Sequence, residues 1–310
     1  MATSSTVSGE RLRDAFLVRR LQEPDEIRQM LLPHRRYAAY ALAQLEPPLS
    51  RKSQWWLAEG DGDPALVMHS RGGLGQALLT LGDEIGLYAL LSLHPGPAYS
   101  FATFETGQAG VMRHFYSLSH SQPMLRLVVD RQTFAAAPPP AGETPSAALR
   151  RLSARDIGAV NRLNSSESSG VGYRAAQIEE GIYFGVFDEG MLVAMAGTHG
   201  VAASERIAVV GNVFTHPLYR GNHFARQATS AVTGALLESC DEVVLTVDPK
   251  NEPAVKAYTH LGYQETCRLI EASATRRESL GAGSLLRRLV ARWRGRAYGR
   301  ELVSSPARRG

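Results

Sequence analysis

Apolar and polar positions change rhythm along this chain, and the changes predict its elements. The run LRLVVD at residues 125–130 reads as a buried strand, and shorter apolar stretches near 55–59, 65–69, 77–81 and 99–105, bounded by glycine, proline or charge, predict further strands. Residues 28–45 have helical spacing broken at Pro33, and 111–118 is a second helical stretch. The first part of the chain is therefore mixed α and β.

A proline-rich segment, AAAPPPAGETPSA at 135–147, forbids helix interior and strand ladder alike, and it is expected to link two domains, 1–134 and 148–274. Beyond it the alternation is cleaner. Ser153 precedes a helix with Ile157, Val160 and Leu163 on one face, a Ser/Gly-rich loop covers 165–172, and a short helix lies near 175–180. Strands follow at 182–187 and 191–196 around the turn Asp188-Glu189-Gly190, with a third at 206–215. A helix at 224–239, a strand at 242–248, a helix at 252–261 and a strand starting near Tyr263 complete the pattern. The class is α/β in the α+β sense, with a mixed sheet.

Chemistry concentrates where the third strand meets its helix, in GNVFTHPLYRGNHFAR at 211–226. A strand ending at Pro217 and an Arg-Gly turn opening a long helix present free N–H groups and the positive end of a helix dipole, which suits a diphosphate. An ordinary strand, turn and helix would need the same residues only for the turn. A second segment, DPKNEPAVKAYTHLGY at 248–263, starts a helix at Asn251, sets Ala254 and Tyr258 on one face, and ends at Gly262.

Together, and in this order, the two segments resemble the GNAT acyltransferase superfamily over about residues 148–274. The resemblance implies a mixed, mostly antiparallel central sheet flanked by helices, with the cofactor where the third and fourth core strands splay. It implies that Arg220, Gly221, Asn222, His223, Phe224 and Ala225 bind the phosphates of acetyl-CoA through backbone amides. Val213, Phe214 and Thr215 would pair with the pantetheine arm, Asn251 would orient the cofactor, and Tyr258 would protonate the departing thiolate. The activity implied is N-acetyl transfer to a small-molecule or peptide amine, by direct attack on the thioester. Two positions depart from the pattern. His223 stands where relatives usually carry glycine, and Asn212 stands at the strand position where many carry a glutamate base. Glu167, Glu205, His199 and His216 are the candidate replacements, alongside a water chain or an amine arriving as its free base. The first domain is read as a second, degenerate GNAT-like one without a cofactor motif.

Composition bounds these readings. With 310 residues, 44% apolar and 21% charged, the chain is long enough for two cores and is not a disordered one. Cys240 and Cys267, with no Cys/His cluster, exclude a disulfide scaffold and give no metal site. Neither a signal peptide nor a membrane span is apparent, so a cytoplasmic location is expected. The net charge of +4 is uneven, because residues 276–310 carry ten arginines against Glu278 and Glu301 while the chain before them is acidic. Residues 275–310 read as an amphipathic tail with Leu285, Leu286, Leu289, Val290 and Trp293 on one side. Such a helix can contact a membrane or a protein weakly, dock on its own first domain, or stay solvated; no nucleic-acid partner is expected. RGGLGQA at 71–77 mimics a phosphate loop but is followed by a short strand, and Trp55 and Trp56 read as core. A non-catalytic CoA-binding or partner-binding module is the alternative function.

Overall fold

The computed structural model describes residues 15–60, 63–72, 75–138, 147–167, 172–278, 281–296 and 299–304. The chain divides into two compact units, each discontinuous in sequence: residues 1–34, 47–123 and 268–310 form the first, and 35–46 with 124–267 the second.

The first unit opens with β1 (Ala15–Leu21) and α1 (Pro24–Leu31), and the second takes α2 (Ala39–Ala43). The first resumes with β2 (Ser53–Glu59), β3 (Ala65–Ser70), β4 (Ala77–Leu81), α3 (Glu84–Leu93), β5 (Tyr99–Phe104) and α4 (Ala109–Phe115). Strand β6 (Tyr116–Asp130) enters the second unit at residue 124. That unit continues through β7 (Ala148–Arg151), α5 (Ile157–Glu167), α6 (Ala175–Glu180), β8 (Tyr183–Asp188) and β9 (Met191–Ala202). It ends with β10 (Ile207–Thr215), α7 (Phe224–Leu237), β11 (Glu242–Val247) and α8 (Glu252–His260). Strand β12 (Gln264–Arg276) returns the chain to the first unit, where α9 (Ala282–Arg294) and β13 (Glu301–Ser304) follow.

The first unit orders its strands β13-β1-β2-β3-β4-β5-β12, antiparallel except for β4 beside β5. Leu87, Leu90, Phe104 and Tyr116 are fully enclosed in its core. The second orders β6-β11-β10-β9-β8-β7, with β10 and β11 the parallel pair, over a core that includes Val210, Val243, Leu245 and Tyr263. Both are mixed, mostly antiparallel sheets with helices packed on them, as the resemblance implied for the second.

The domain boundaries expected at 134 and 148 do not coincide with the units. Residues 125–130, expected in the first domain, pair with β11 in the second unit's sheet, and residues 270–275, expected in the second domain, pair with β5 in the first unit's. Of the expected linker, 139–146 lie outside the described residues, whereas Ala135 N–H donates to Leu261 O (3.1 Å) and Ala137 N–H to Ser230 Oγ (2.9 Å), anchoring 135–137 on the second unit. The arginine-rich 275–310 segment is not an appended tail. β13 pairs antiparallel with β1, and Ser284 and Ala291 of α9 are buried. Of the alternatives open for its helix, packing on its own unit is the one the structure has, and small side chains make that contact. Four elements escape the sequence pattern altogether: strands β1, β7 and β13 and helix α3. β1 pairs with β2 ahead of the strand expected to be first, and α3 is apolar nearly all round, so it has no helical period to detect.

Candidate active site

Strands β10 and β11 start in parallel register, Ile207 opposite Glu242, and their pairing ends at Val210 opposite Leu245. β10 nevertheless continues to Thr215, and β11 continues to Val247 in register with β6. Residues 211–215 therefore carry backbone groups that β11 does not use, at half-buried positions. The cause lies on the other edge of β10. Against β9, the register passes from Gly211 opposite Gly197 to Phe214 opposite Met195, which places an extra residue in β10. Asn212 adopts the left-handed conformation there, at φ +53°. A complementary irregularity in β9, between Gly200 and Thr198, singles out His199. Bulges bend a strand and increase its twist, here turning β10 away from β11.

Asn212 joins four neighbours. Its Nδ2 donates to Tyr183 Oη (3.0 Å) and Thr198 O (3.4 Å), and its Oδ1 accepts from Tyr173 Oη (2.6 Å). His199 Nε2 lies 3.0 Å from the same Oδ1, which requires the Nε2–H tautomer. Tyr183 in turn donates to Thr198 O (3.1 Å). Burial pushes the His199 imidazole down to about 4 despite the Asn212 bond, and pushes the Tyr183 hydroxyl up to about 12. Burial also raises the Tyr173 hydroxyl. The cluster is neutral at pH 7. Gly211 makes room for it, since a Cβ at that position would lie 2.3 Å from His199 Nε2.

At the far end of β10, His216 caps a short turn and Arg220 is extended. Gly221 takes φ +88°, with open space where a Cβ would be, and His223 takes φ +61° as N-cap of α7. The glycine usual at this fourth position is thus matched in conformation by a histidine, whose side chain is exposed and turned out of the core. The amides of Phe224, Ala225 and Arg226 belong to the first helical turn, where geometry provides no partner, and Gln227 N–H begins the ladder on His223 O (3.1 Å). Phe224 contributes its amide alone, because its ring is 3% exposed in the core. Asn222 Nδ2 braces the turn on Tyr219 O (3.2 Å). These features set the amides of the helix start and the positive end of its dipole together, an arrangement that suits an anion.

Tyr258 lies in the hydrophobic cluster that contains Val210, Leu245 and Val247, with Val213 packed against it, so α8 brings it to the splay. Burial raises its hydroxyl to about 12, and among the described residues that hydroxyl has no hydrogen-bond partner. Asn251 is the N-cap of α8, accepting from Ala254 N–H at 3.3 Å. Of the candidate bases whose side chains are described, only His199 touches Asn212. Glu205 precedes the opposite end of β10, and His216 accepts from Leu218 N–H at 3.4 Å. The Glu167 side chain lies outside the described residues. Tyr173 and Tyr183 were not foreseen as part of the site, since bulges leave no period in a sequence. No group of three or more His, Cys, Asp or Glu suited to a metal occurs among the described residues.

The corresponding strand-to-helix junction of the first unit is different. It is the tight turn Gly82-Asp83-Glu84, where Asp83 Oδ2 accepts from Ile85 and Gly86 N–H (2.9 and 3.1 Å). A carboxylate fills the helix start that would otherwise receive an anion.

Residues 157–263 match the family described as Acetyltransferase (GNAT) family. Among solved structures, a GCN5-related N-acetyltransferase from Kribbella flavida is similar at 18% identity and TM-score 0.56, over 77% of this chain and 95% of that one. One from Sphaerobacter thermophilus is similar at 15% identity and TM-score 0.55, over 84% and 96%. A tandem GNAT protein from the clavulanic acid biosynthesis pathway is similar at 14% and 0.50, over 84% and 98%. At these identities the likeness is one of fold, and it extends over the first unit, which resembles a second GNAT-like fold. No curated protein sequence matches the chain.

Proposed function

We propose that the second unit, in which residues 157–263 match the GNAT acetyltransferase family, transfers an acyl group, acetyl in the simplest case, from acyl-CoA to a primary amine. The observation that carries this reading is the release of β10 from β11 after Val210, beside a helix start with unused amides. The amides following Gly221 hold the diphosphate, and the free edge of 213–215 pairs with the pantetheine arm. The neutral amine attacks the thioester carbonyl, a C–N bond forms as the C–S bond breaks, and the nitrogen passes its surplus proton to water, from which Tyr258 is reprotonated after it has protonated the thiolate. A backbone N–H on the free β10 edge stabilises the oxyanion. Tyr258, protonated at neutral pH and without a competing partner, gives its proton to the thiolate.

An amide at Asn212 cannot take the proton of an ammonium, and His199, neutral and already donating to Asn212, is a weak base. We therefore assign deprotonation to the amine's own equilibrium, so that kcat/KM rises tenfold per pH step below the amine's pKa. The neutral cluster of Tyr173, Tyr183 and Asn212 orders the acceptor side of the splay. The test is calorimetry with acetyl-CoA followed by a thiol-release screen over amines. Binding with turnover supports transfer. Binding without turnover across the screen would favour the non-catalytic CoA-binding module, the reading that Asn212 itself encourages.

A further inference from the structure

Helix α9 turns its apolar side away from its own core. At about 100° per residue, Ser284 and Ala291 share one stripe, and they are 6% and 4% exposed. Leu285, Leu286, Leu289, Val290 and Trp293 occupy the opposite side, with exposures that run from 41% at Val290 to 67% at Trp293. Contiguous exposed apolar faces of this kind mark interaction sites.

Beside this face, within the first unit, lies a cleft of about 1460 Å³ lined, among the described residues, by ten arginine or lysine side chains and a single carboxylate, Glu301. Glu301 is engaged by Arg292 (2.9 Å) and His94 (2.5 Å), while Arg19 and Arg300 are tied to Glu59 (3.0 and 2.9 Å). Arg20, Arg51, Lys52, Arg71 and Arg296 have no carboxylate partner among the described residues. They approach from β1, from the ends of β2 and β3, and from the end of α9. His69, 5% exposed, also lines the cleft. His94 O accepts from its Nε2 (3.0 Å), and its Nδ1 has no partner among the described residues. Leu285 belongs to both the cleft and the exposed face, and Arg288 and Arg292 lie about 60° and 20° from it around the helix. Apolar face and cationic mouth therefore share an edge.

We propose that this side of the first unit docks on an anionic phospholipid bilayer, with the apolar face of α9 in the interface and the cleft taking up headgroup phosphates. Either feature alone fits other partners, a soluble polyanion for the cleft or a protein for the helix. Side by side they match the layering of a bilayer, hydrocarbon beneath phosphate. Guanidinium groups converging from several elements suit phosphate oxygens through paired N–H bonds. No described helix is long and apolar enough to cross a membrane, so this is attachment at a surface.

The experiment is flotation of the full chain with vesicles of phosphatidylcholine alone or with about a third phosphatidylglycerol, at about 0.15 M salt. Partitioning onto the anionic vesicles is expected to exceed that onto neutral ones at least tenfold, with a blue shift of Trp293 fluorescence that Trp293→Phe removes. Leu286→Glu with Leu289→Glu, both exposed and safe for folding, abolishes attachment. Arg51→Ala, Lys52→Ala and Arg71→Ala together weaken it on the order of a hundredfold, since each surface cation is worth about fivefold. Acetyl-CoA affinity stays unchanged in all of these, separating this proposal from the transferase reading. Absence of partitioning, partitioning indifferent to both sets of substitutions, tripolyphosphate binding without vesicle binding, or a dimer dissolved by the Leu286/Leu289 pair would each overturn the proposal.

Discussion

Replacing Asn212 tests whether the bulge in β10 is held by its amide cluster. Asn212→Ala removes four hydrogen bonds, to Tyr173, Tyr183, His199 and Thr198. At about 1 kcal/mol each they set an upper figure of about 4 kcal/mol, and because Asn212 and Tyr173 are half-buried, water restores part, leaving about 2–3 kcal/mol. Alanine must also hold φ +53°, which costs it about 1 kcal/mol more than glycine. Asn212→Gly loses the same bonds without that strain. The tryptophans all lie in the first unit, so fluorescence would miss the effect. Amide hydrogen exchange over residues 198–214 reads it directly as a fall in local opening free energy. Alanine is expected to lower it by about 3–4 kcal/mol and glycine by about 1 kcal/mol less. Equal effects of the two, or losses below about 0.5 kcal/mol, would refute the account of the bulge.

Tyr258→Phe should cut kcat on the order of a hundredfold at saturating acetyl-CoA with KM nearly unchanged, as loss of a proton donor predicts; intact turnover would remove Tyr258 from the chemistry. Gly221→Ala meets no steric obstacle but strains φ +88° by about 1–2 kcal/mol, so steady-state kinetics should show KM for acetyl-CoA raised about tenfold with kcat retained. Asn251→Ala should cost about 0.5–1 kcal/mol through the lost cap, measured by thermal unfolding, and an accompanying rise in acetyl-CoA KM would assign the side chain a cofactor role as well. His69 and His199 are both held down to about 4 by burial, whereas the unfolded chain protonates them near 6.5. The unfolded state thus binds more protons as pH falls from 6.5 toward 4, and stability, complete above that window, declines within it by on the order of 2 kcal/mol per group. Thermal melts between pH 7 and 4.5 should show this, and His199→Asn should flatten part of the decline.

Much of the site was legible because its chemistry is local. The turn from Arg220 to Ala225 and the cap at Asn251 are set by residues a few positions apart, and the structure gives them the positive φ, helix start and capping bond that those residue types imply. His223 departs from the usual glycine in residue type only, because its left-handed backbone and exposed ring make it a conformational substitute. The cluster around Asn212 was not legible. Tyr173, Tyr183 and His199 come from a loop and two strands, and they converge only because the registers slip on both strands.

The sequence by itself determined the alternation of strands and helices, the position of the turn that starts α7, the face of α8 that carries Tyr258, and the excess of arginine near the end of the chain. Each depends on neighbours within a turn or a strand. Tertiary structure alone decided that residues 125–130 complete the second unit's sheet while 270–275 complete the first's, and that α9 packs through Ser284 and Ala291 with its leucines outward. Strand partners and the buried side of a helix are chosen by which unfilled edges and surfaces are available in three dimensions, and that competition leaves no periodic trace along the chain.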